Sequence, residues 1–125
     1  MKIRLQDGLP FVTAVLMHQN QQIALENVLL DTGSAGTIFP TDRMLEIGLR
    51  LEVDDLLQRI RGVGGTEFVF TKQVNRIALG DLTLADFEVE VGAMDYGFPL
   101  DGIIGMDALL QVGAKIDLEQ LELVS

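Results

Sequence analysis

Cysteine is absent from the 125 residues, and histidine occurs once, as His18. Without cysteine, disulfide scaffolds, thiol catalysis and thiolate metal sites are excluded. A Ser-His-Asp hydrolase would need His18 as its base, and no Gly-x-Ser-x-Gly elbow accompanies it. A metal site with several imidazole ligands is excluded by the same count. The sequence therefore implies no metal ion, and none of its motifs implies an organic cofactor.

Long apolar runs are also missing. Residues 1–7 hold no run of signal-peptide length, and no stretch is long enough to span a membrane. This predicts a soluble, cytoplasmic protein with no membrane partner. The formal net charge of −10 repels phosphate backbones, which disfavours nucleic acid as a partner.

What is present predicts one folded domain, residues 1–125, built mainly of strands. Apolar residues make up 48% of the chain, enough for a hydrophobic core without covalent staples. The alternation of apolar residues predicts hairpins over residues 11–30, 58–70, 74–91 and 115–124. In the first of them, His18 is expected in the turn.

Two details of these elements are also predicted. The third hairpin turns at Gly80-Asp81, and a bulge near Leu84-Ala85 would reconcile two phases of its second strand. Two short helices are predicted, one over residues 41–48 with Thr41 as its N-cap and one over residues 106–112. The fold class is therefore all-β, mainly antiparallel and closed like a barrel, with two short helices.

One short string carries candidate chemistry. The apolar residues 28–30 run directly into Asp31, Thr32, Gly33 and Ser34. A carboxylate at the end of a buried strand is costly unless it is hydrogen-bonded or shares a proton. Gly33 lets the chain turn sharply and lets other groups approach closely, and the two hydroxyls can orient the carboxylate. A simple side-chain turn at a strand end fits the same string, so a second signal is needed.

Two further segments supply that signal. Much later in the chain, Ile103, Ile104 and Gly105 precede the second predicted helix. Two apolar residues and a glycine can cross behind the aspartate and leave it room. Between the two motifs, a predicted hairpin carries the glycine-rich residues 62–65, which are suited to close over a substrate.

In this order, the segments resemble the retropepsin-like aspartic proteases, the single-lobe retroviral type and its bacterial relatives. The resemblance covers about residues 11–123. Residues 31–34 match the catalytic triplet and the small residue after it, residues 61–66 fall at the flap, and residues 103–110 match the conserved loop and C-terminal helix. It implies an aspartic endopeptidase whose polypeptide substrate lies extended in a cleft under the flap.

The resemblance implies two sets of site residues. The catalytic set is Asp31, Thr32 and Gly33. The substrate-binding set is Ser34, Ala35, Ile60, Gly62, Val63, Gly64, Gly65 and Ile104, with residues 96–98 expected to add to the pocket walls.

Two positions depart from the pattern of many retroviral members. Where those proteins place an aspartate two residues after the motif glycine and an arginine just after the second glycine, this chain has Ala35 and Met106. Both partners of that ion pair are missing, so no buried charge is left unpaired. The contacts of the pair to substrate and across a dimer are therefore expected to differ here, whereas the catalytic group is retained.

Aspartic-protease chemistry needs two carboxylates that share one proton. The chain has one Asp-Thr/Ser-Gly triplet, because Asp101 and Asp107 are not followed by a hydroxyl residue and glycine. Asp107 is expected to cap or face the last helix. The second carboxylate must come from a second copy, which predicts a twofold homodimer with Asp31 at its axis. The resemblance also implies that Thr32 hydrogen-bonds across that axis.

Other function classes fit parts of the sequence. Actin-like nucleotide phosphatases use aspartate and glycine near strand ends, but they need two large lobes. A phosphate cradle at residues 62–65 would need a following helix, whereas residues 66–71 are typical of a strand. The alternative left open is a non-catalytic dimerisation or peptide-binding module of the same fold, because fold does not determine function.

Overall fold

The computed structural model describes residues 1–62 and 65–125, and its description of side chains leaves out residues 60–67. The strands are β1 (Arg4–Gln6), β2 (Leu9–His18), β3 (Gln21–Leu30), β4 (Ile38–Pro40), β5 (Gln58–Gly62), β6 (Gly65–Leu79), β7 (Leu82–Gly92), β8 (Gly102–Ile104), β9 (Lys115–Asp117) and β10 (Glu122–Val124), and the helices are α1 (Thr41–Leu45) and α2 (Met106–Gln111). The prediction of a mostly β chain with two short helices is confirmed.

Six strands close into a barrel. Eight strands pair in the order β1-β2-β3-β8-β4-β7-β6-β5. An additional pairing of β2 with β6 closes the six strands from β2 to β6 in this order into the barrel. Most pairs are antiparallel, whereas β3–β8 and β4–β7 are parallel. Strand β8 therefore lies between β3 and β4, so the chain before and after residues 31–37 is paired with the same short strand.

The barrel interior forms the main core. Side chains alternate between the two faces of a strand, so Val28 and Leu30 of β3 point inward while Leu29 points to the other face. Buried side chains from the six barrel strands, from β10 and from both helices meet in this core, among them Leu16, Leu25, Phe39, Met44, Ile77, Leu84, Val91, Ile104, Ala108 and Leu123. None of the helices within residues 1–62 and 65–125 is long and apolar enough to cross a membrane.

The first predicted hairpin is confirmed, with one correction. Strands β2 and β3 pair as far as His18↔Gln21, so His18 closes a strand and does not lie in the turn. The turn is Gln19-Asn20, and both residues have left-handed φ, of 46° and 68°. Such a turn matches the twist of the strands it joins, which explains why pairing extends to the last residue before it.

The second and third predicted hairpins share one long strand, β6. Strand β6 pairs with β5 and, further along, with β7 through the turn at Gly80-Asp81. The predicted bulge near Leu84-Ala85 is wrong, because Val74↔Phe87 and Arg76↔Ala85 are in the same register. The alternation of buried and exposed side chains changes phase at the same place on both strands. Asp86 accommodates the change with a left-handed φ of 50°.

The first helix covers Thr41–Leu45 and is shorter than the predicted range 41–48, and its N-cap lies one residue earlier than predicted. Pro40 is its N-cap and makes no side-chain capping bond, so Thr41 is the first helical residue and its assignment as N-cap is wrong. Proline has no amide hydrogen to leave unpaired, which suits this entry into the helix. Gly48, with φ of +80°, ends the turn that follows, and residues 49–57 have no regular structure. The second helix and the terminal β9–β10 hairpin lie where they were predicted.

Candidate active site

The Asp31 loop, residues 31–37, begins where the parallel pairing of β3 and β8 ends. Leu30 lies opposite Ile104 in the register. The next amide, that of Asp31, donates to the Ile104 carbonyl oxygen at 3.0 Å. The backbone of Asp31 is therefore held by the same ladder that orders the buried strand before it.

The loop folds back on the carboxylate of Asp31. The Gly33 amide donates to Asp31 Oδ1 at 2.9 Å, and the Ser34 amide donates to the Asp31 carbonyl oxygen at 3.1 Å. A Cβ at Gly33 would lie only 3.2 Å from Asp31 Oδ1, so glycine keeps this approach free. Asp31 is half-buried and Thr32 and Gly33 are exposed, so the carboxylate is fastened at one oxygen and lies at the surface of this chain.

Gly105 crosses directly behind the loop. A Cβ at that position would lie 2.1 Å from the Gly36 carbonyl oxygen and 2.7 Å from that of Ser34. The next residue, Met106, donates its amide to the Ser34 carbonyl oxygen at 2.7 Å. Only glycine allows this approach, which explains in physical terms why the second motif ends in one.

The other two aspartates near the second motif have structural partners. Asp101 Oδ2 accepts the Asn27 amide at 3.1 Å, and the Asp101 amide donates to the Asn27 carbonyl oxygen at 2.9 Å. Asp107 lies in the first turn of α2, where Oδ1 accepts the Thr37 hydroxyl at 2.7 Å and the Ala108 amide at 2.8 Å. Both carboxylates therefore hold backbone in place.

Glu90 of β7 lies against the far half of the loop. A Cβ on Gly36 would be 2.8 Å from Glu90 Oε1, and the Glu90 amide donates to the Thr37 carbonyl oxygen at 2.8 Å. Burial raises the pKa of the Glu90 carboxyl, and the nearby charge of Asp107 raises it further. One carboxyl with a raised pKa therefore lies against the loop.

An apolar face adjoins the end of β3 and was missed by sequence reasoning. Leu29 and Ile103 are paired in the β3–β8 register and point away from the barrel core. They belong to a second apolar cluster, which also contains Ile38, Val69, Met94, Tyr96 and Leu100. A signal was present in the unbroken apolar run of residues 28–30, since an inward Val28 and Leu30 leave the apolar Leu29 on the other face.

The predicted substrate-binding residues fall into different places. The Ser34 hydroxyl donates to the Gly36 carbonyl oxygen at 2.8 Å, and Ala35 is exposed beside it. Ile104 is fully buried in the barrel core, and its described contact with the site is the carbonyl oxygen that holds Asp31. Its part in substrate binding stays a prediction.

The predicted flap is described only in its strands. Strands β5 and β6 pair antiparallel up to Gly62↔Gly65. Val63 and Gly64 lie outside the described residues, and so does the side chain of Ile60. The flap and its contacts with substrate therefore stay predictions.

A cleft of about 500 Å³ lies beside the loop that contains residues 96–98, but not at Asp31. It is lined by Pro40, Thr41, Asp42, Arg43, Ala93, Met94, Asp95, Phe98, Pro99, Leu100 and Asp101. The Asp31 loop contributes none of these residues. Within the described part of the chain, no three acidic or histidine side chains are grouped to hold a metal ion.

One comparison with known proteins gives a match. Residues 15–108, well over half of the chain, match the family described as aspartyl protease. The matched range contains the Asp31 loop, the β5–β6 hairpin and Gly105. No curated protein matches the chain.

Proposed function

The chain belongs to the aspartyl protease family, and from that premise we propose that it is an endopeptidase active as a homodimer, with Asp31 of each copy at the shared centre. One observation carries this proposal. Asp31 is held at both its amide and one carboxylate oxygen, yet it is only half-buried and is followed by the exposed Thr32 and Gly33. A carboxylate so fixed and so open is suited to be completed by a second copy.

The dimer follows from the chemistry of the pair. Two carboxylates about 3 Å apart cannot both ionise, so a symmetric pair shares one proton and titrates in two steps. A twofold axis through the Asp31 loops brings two identical carboxylates together without further sequence. Thr32 is exposed beside Asp31 and, in this proposal, would hydrogen-bond across that axis.

In the proposed reaction the ionised Asp31 takes a proton from a water molecule, whose oxygen bonds to the scissile carbonyl carbon. The protonated Asp31 of the other copy gives its proton to the carbonyl oxygen. The resulting tetrahedral diol collapses when the Asp31 that took the water proton gives it to the peptide nitrogen, the carbon–nitrogen bond breaks, and one hydroxyl proton of the diol returns to the Asp31 of the other copy. No metal or organic cofactor takes part, and the protons balance within the pair and the water.

The substrate would lie extended across the two Asp31 loops, under the β5–β6 hairpins. Its main chain would add hydrogen bonds as a strand does, and closure of the hairpins would exclude water. Leu29 and Ile103 carry an apolar face directly beside the end of β3. The proposal therefore includes a preference for apolar side chains next to the scissile bond.

The test is cleavage of a diverse peptide pool by the wild-type protein and by Asp31→Asn, followed by mass spectrometry across acid and neutral pH. We expect cleavage at defined sites by the wild type and a loss of at least about a thousandfold in the variant, because a neutral amide cannot act as the base. Asp81→Asn, in the exposed β6–β7 turn, is the matched control and should cleave at the wild-type rate.

The oligomeric state is measured on the same samples by sedimentation. If wild type and both variants are folded dimers and none cleaves at any pH, the endopeptidase is rejected in favour of a non-catalytic binding module. If the wild type cleaves as a monomer, the shared centre is rejected.

A further inference from the structure

Thr37 is the one buried polar side chain among those whose burial the structure describes. Its hydroxyl donates to Asp107 Oδ1 at 2.7 Å and accepts the Gly105 amide at 3.1 Å. Its carbonyl oxygen accepts the Glu90 amide at 2.8 Å. This single residue thus joins the end of the Asp31 loop to β7, to the Gly105 crossing and to the start of α2.

Asp107 completes the connection from the other side. Its carboxylate accepts the Thr37 hydroxyl, and its amide donates to the Ala35 carbonyl oxygen at 3.3 Å. A hydroxyl bound to an ionised carboxylate makes a shorter and stronger hydrogen bond than one bound to a neutral group. The second half of the loop is therefore tied to the first turn of α2 by a side chain and by backbone.

The two ends of the loop are fastened to one continuous stretch. Asp31 is held by the Ile104 carbonyl oxygen, and Thr37 is held by Gly105 and Asp107. Both anchors belong to residues 104–107, and the Met106 and Asp107 amides hold the Ser34 and Ala35 carbonyl oxygens between them, so the position of the loop depends on this one stretch. A displacement of about 1 Å at a reacting group can lower the rate of an enzyme about a hundredfold.

We propose that Thr37 and Asp107 are positioning residues: the bond between the Thr37 hydroxyl and the Asp107 carboxylate sets the orientation of the Asp31 carboxylate. The effect on turnover rests on the proposed function, whereas the effect on the geometry of Asp31 does not. Neither residue touches the reacting atoms, and both act through the Asp31 loop.

The experiment compares Thr37→Val, which keeps the shape and removes the hydroxyl, with Thr37→Ser, which keeps the hydroxyl. We expect Thr37→Val to lower kcat about 10- to 100-fold with KM changed less than about threefold, and Thr37→Ser to restore kcat to within about threefold. Thr83→Val, on the exposed face of β7, is the matched control and should leave kcat unchanged.

A second readout does not depend on activity. NMR signals of the Asp31 carboxyl carbon and the Gly33 amide should shift in Thr37→Val and return in Thr37→Ser, because these two groups are hydrogen-bonded to each other. If the wild type cleaves no peptide, the proposed function fails and these signals alone decide the positioning role.

Three results would overturn the inference. They are wild-type kcat in a folded Thr37→Val, unshifted Asp31 and Gly33 signals in that variant, and a loss that Thr37→Ser does not restore. If Thr37→Val does not fold, Asp107→Asn decides, because it keeps an accepting oxygen and removes the charge. For Asp107→Asn we expect a smaller loss of kcat, about three- to tenfold, and shifts of the Asp31 and Gly33 signals in the same direction as in Thr37→Val. An unchanged kcat with unshifted signals in Asp107→Asn rejects the positioning role.

Discussion

Two irregular segments of this chain are held in opposite ways. The Asp31 loop is fastened mainly by backbone groups and by the close approach of Gly105. Residues 49–57, which lead into β5, are fastened by charged side chains at the surface. The Nζ atom of Lys72 lies 2.8 Å from Glu52 Oε1 and 2.8 Å from Asp55 Oδ2.

Beyond Leu49, which is buried in the main core, the second segment has little apolar anchoring. Four of its large apolar side chains are exposed, namely Leu51, Val53, Leu56 and Leu57. Its internal bonds, from the Glu52 amide to Asp55 Oδ2 and from the Asp55 amide to the Glu52 carbonyl oxygen, are local. A segment with few buried contacts opens at a lower free energy than the core does.

The difference separates precision from mobility. The Asp31 loop must keep a carboxylate in place, and backbone hydrogen bonds with close packing respond little to salt. Residues 49–57 join the barrel to β5 of the predicted flap, and surface ion pairs there can break and re-form at small cost. The following predictions test this contrast in order of decreasing expected effect on stability.

The largest effect is expected from Gly105→Ala. The added methyl group would lie 2.1 Å from the Gly36 carbonyl oxygen, which is backbone and has no side-chain freedom to move away. We expect a loss of about 3 kcal/mol or more in the free energy of unfolding, or failure to fold. Urea unfolding followed by circular dichroism measures it.

Gly97→Ala is the matched control for this change. Its methyl group would meet nothing within 4 Å, but Gly97 has a φ of +81°. The expected cost is therefore backbone strain alone, about 1 kcal/mol. Equal losses of unfolding free energy in the two variants would mean that the packing of Gly105 against the Asp31 loop does not determine the stability of the chain.

A smaller effect on the free energy of unfolding is expected from Glu90→Gln. This variant tests whether ionisation of the carboxyl that lies against the Asp31 loop affects stability. The pKa of Glu90 is raised in the folded chain, so its contribution to stability is fully present below its ordinary pKa and is lost as pH rises through the raised value. Glutamine is neutral at every pH. We expect the variant to be more stable at neutral pH, by about 0.5 kcal/mol after allowing for solvent screening, and unchanged near pH 4.

Thermal unfolding at both pH values measures the effect of Glu90→Gln. Glu88→Gln, which is exposed on the same strand, is the control and should change stability equally little at both. A gain that is the same at acid and neutral pH would reject ionisation of Glu90 as its cause.

Sequence patterns predicted most of the elements because alternation and turn residues act locally. The turn at Gly80-Asp81 and the second helix both follow from short windows of sequence. The predicted bulge failed because it depended on the partner strand, where the phase changes opposite Asp86 and keeps the register. A pattern read along one strand cannot show what the neighbouring strand does.

The candidate site shows the same limit. Asp31 and Gly105 carry signals in their own neighbourhoods, and the two motifs do meet in space. Thr37 and Glu90 carry no such signal in the sequence. A threonine six residues after an aspartate is ordinary, and so is a glutamate in a strand, and only the closed barrel brings the two residues to the Asp31 loop. Leu29 and Ile103 were in view, but their shared face depends on the parallel pairing of β3 with β8.

The smallest effect on stability is expected from Lys72→Gln, which removes the ion pairs that hold residues 49–57. The bonds to Lys72 lower the pKa of Asp55 and raise that of Lys72, so the contact is lost only as pH falls through the lowered value or rises through the raised one. Near neutral pH we therefore expect the variant, but not pH, to lower the protection of the amides in residues 49–57 relative to their intrinsic exchange rates. Global stability should change little, and the Gly33 and Ser34 amides should keep their protection.

Salt and a second lysine make this last test specific. High salt should move the wild type toward Lys72→Gln, because it screens a surface ion pair, whereas Lys115→Gln, at an exposed position, should have no effect on the segment. Exchange that is equally slow in the variant would mean that these charges do not hold the segment. Faster exchange that spreads to Gly33 would mean that the two segments are coupled, and that precision and mobility are not separate properties of this fold.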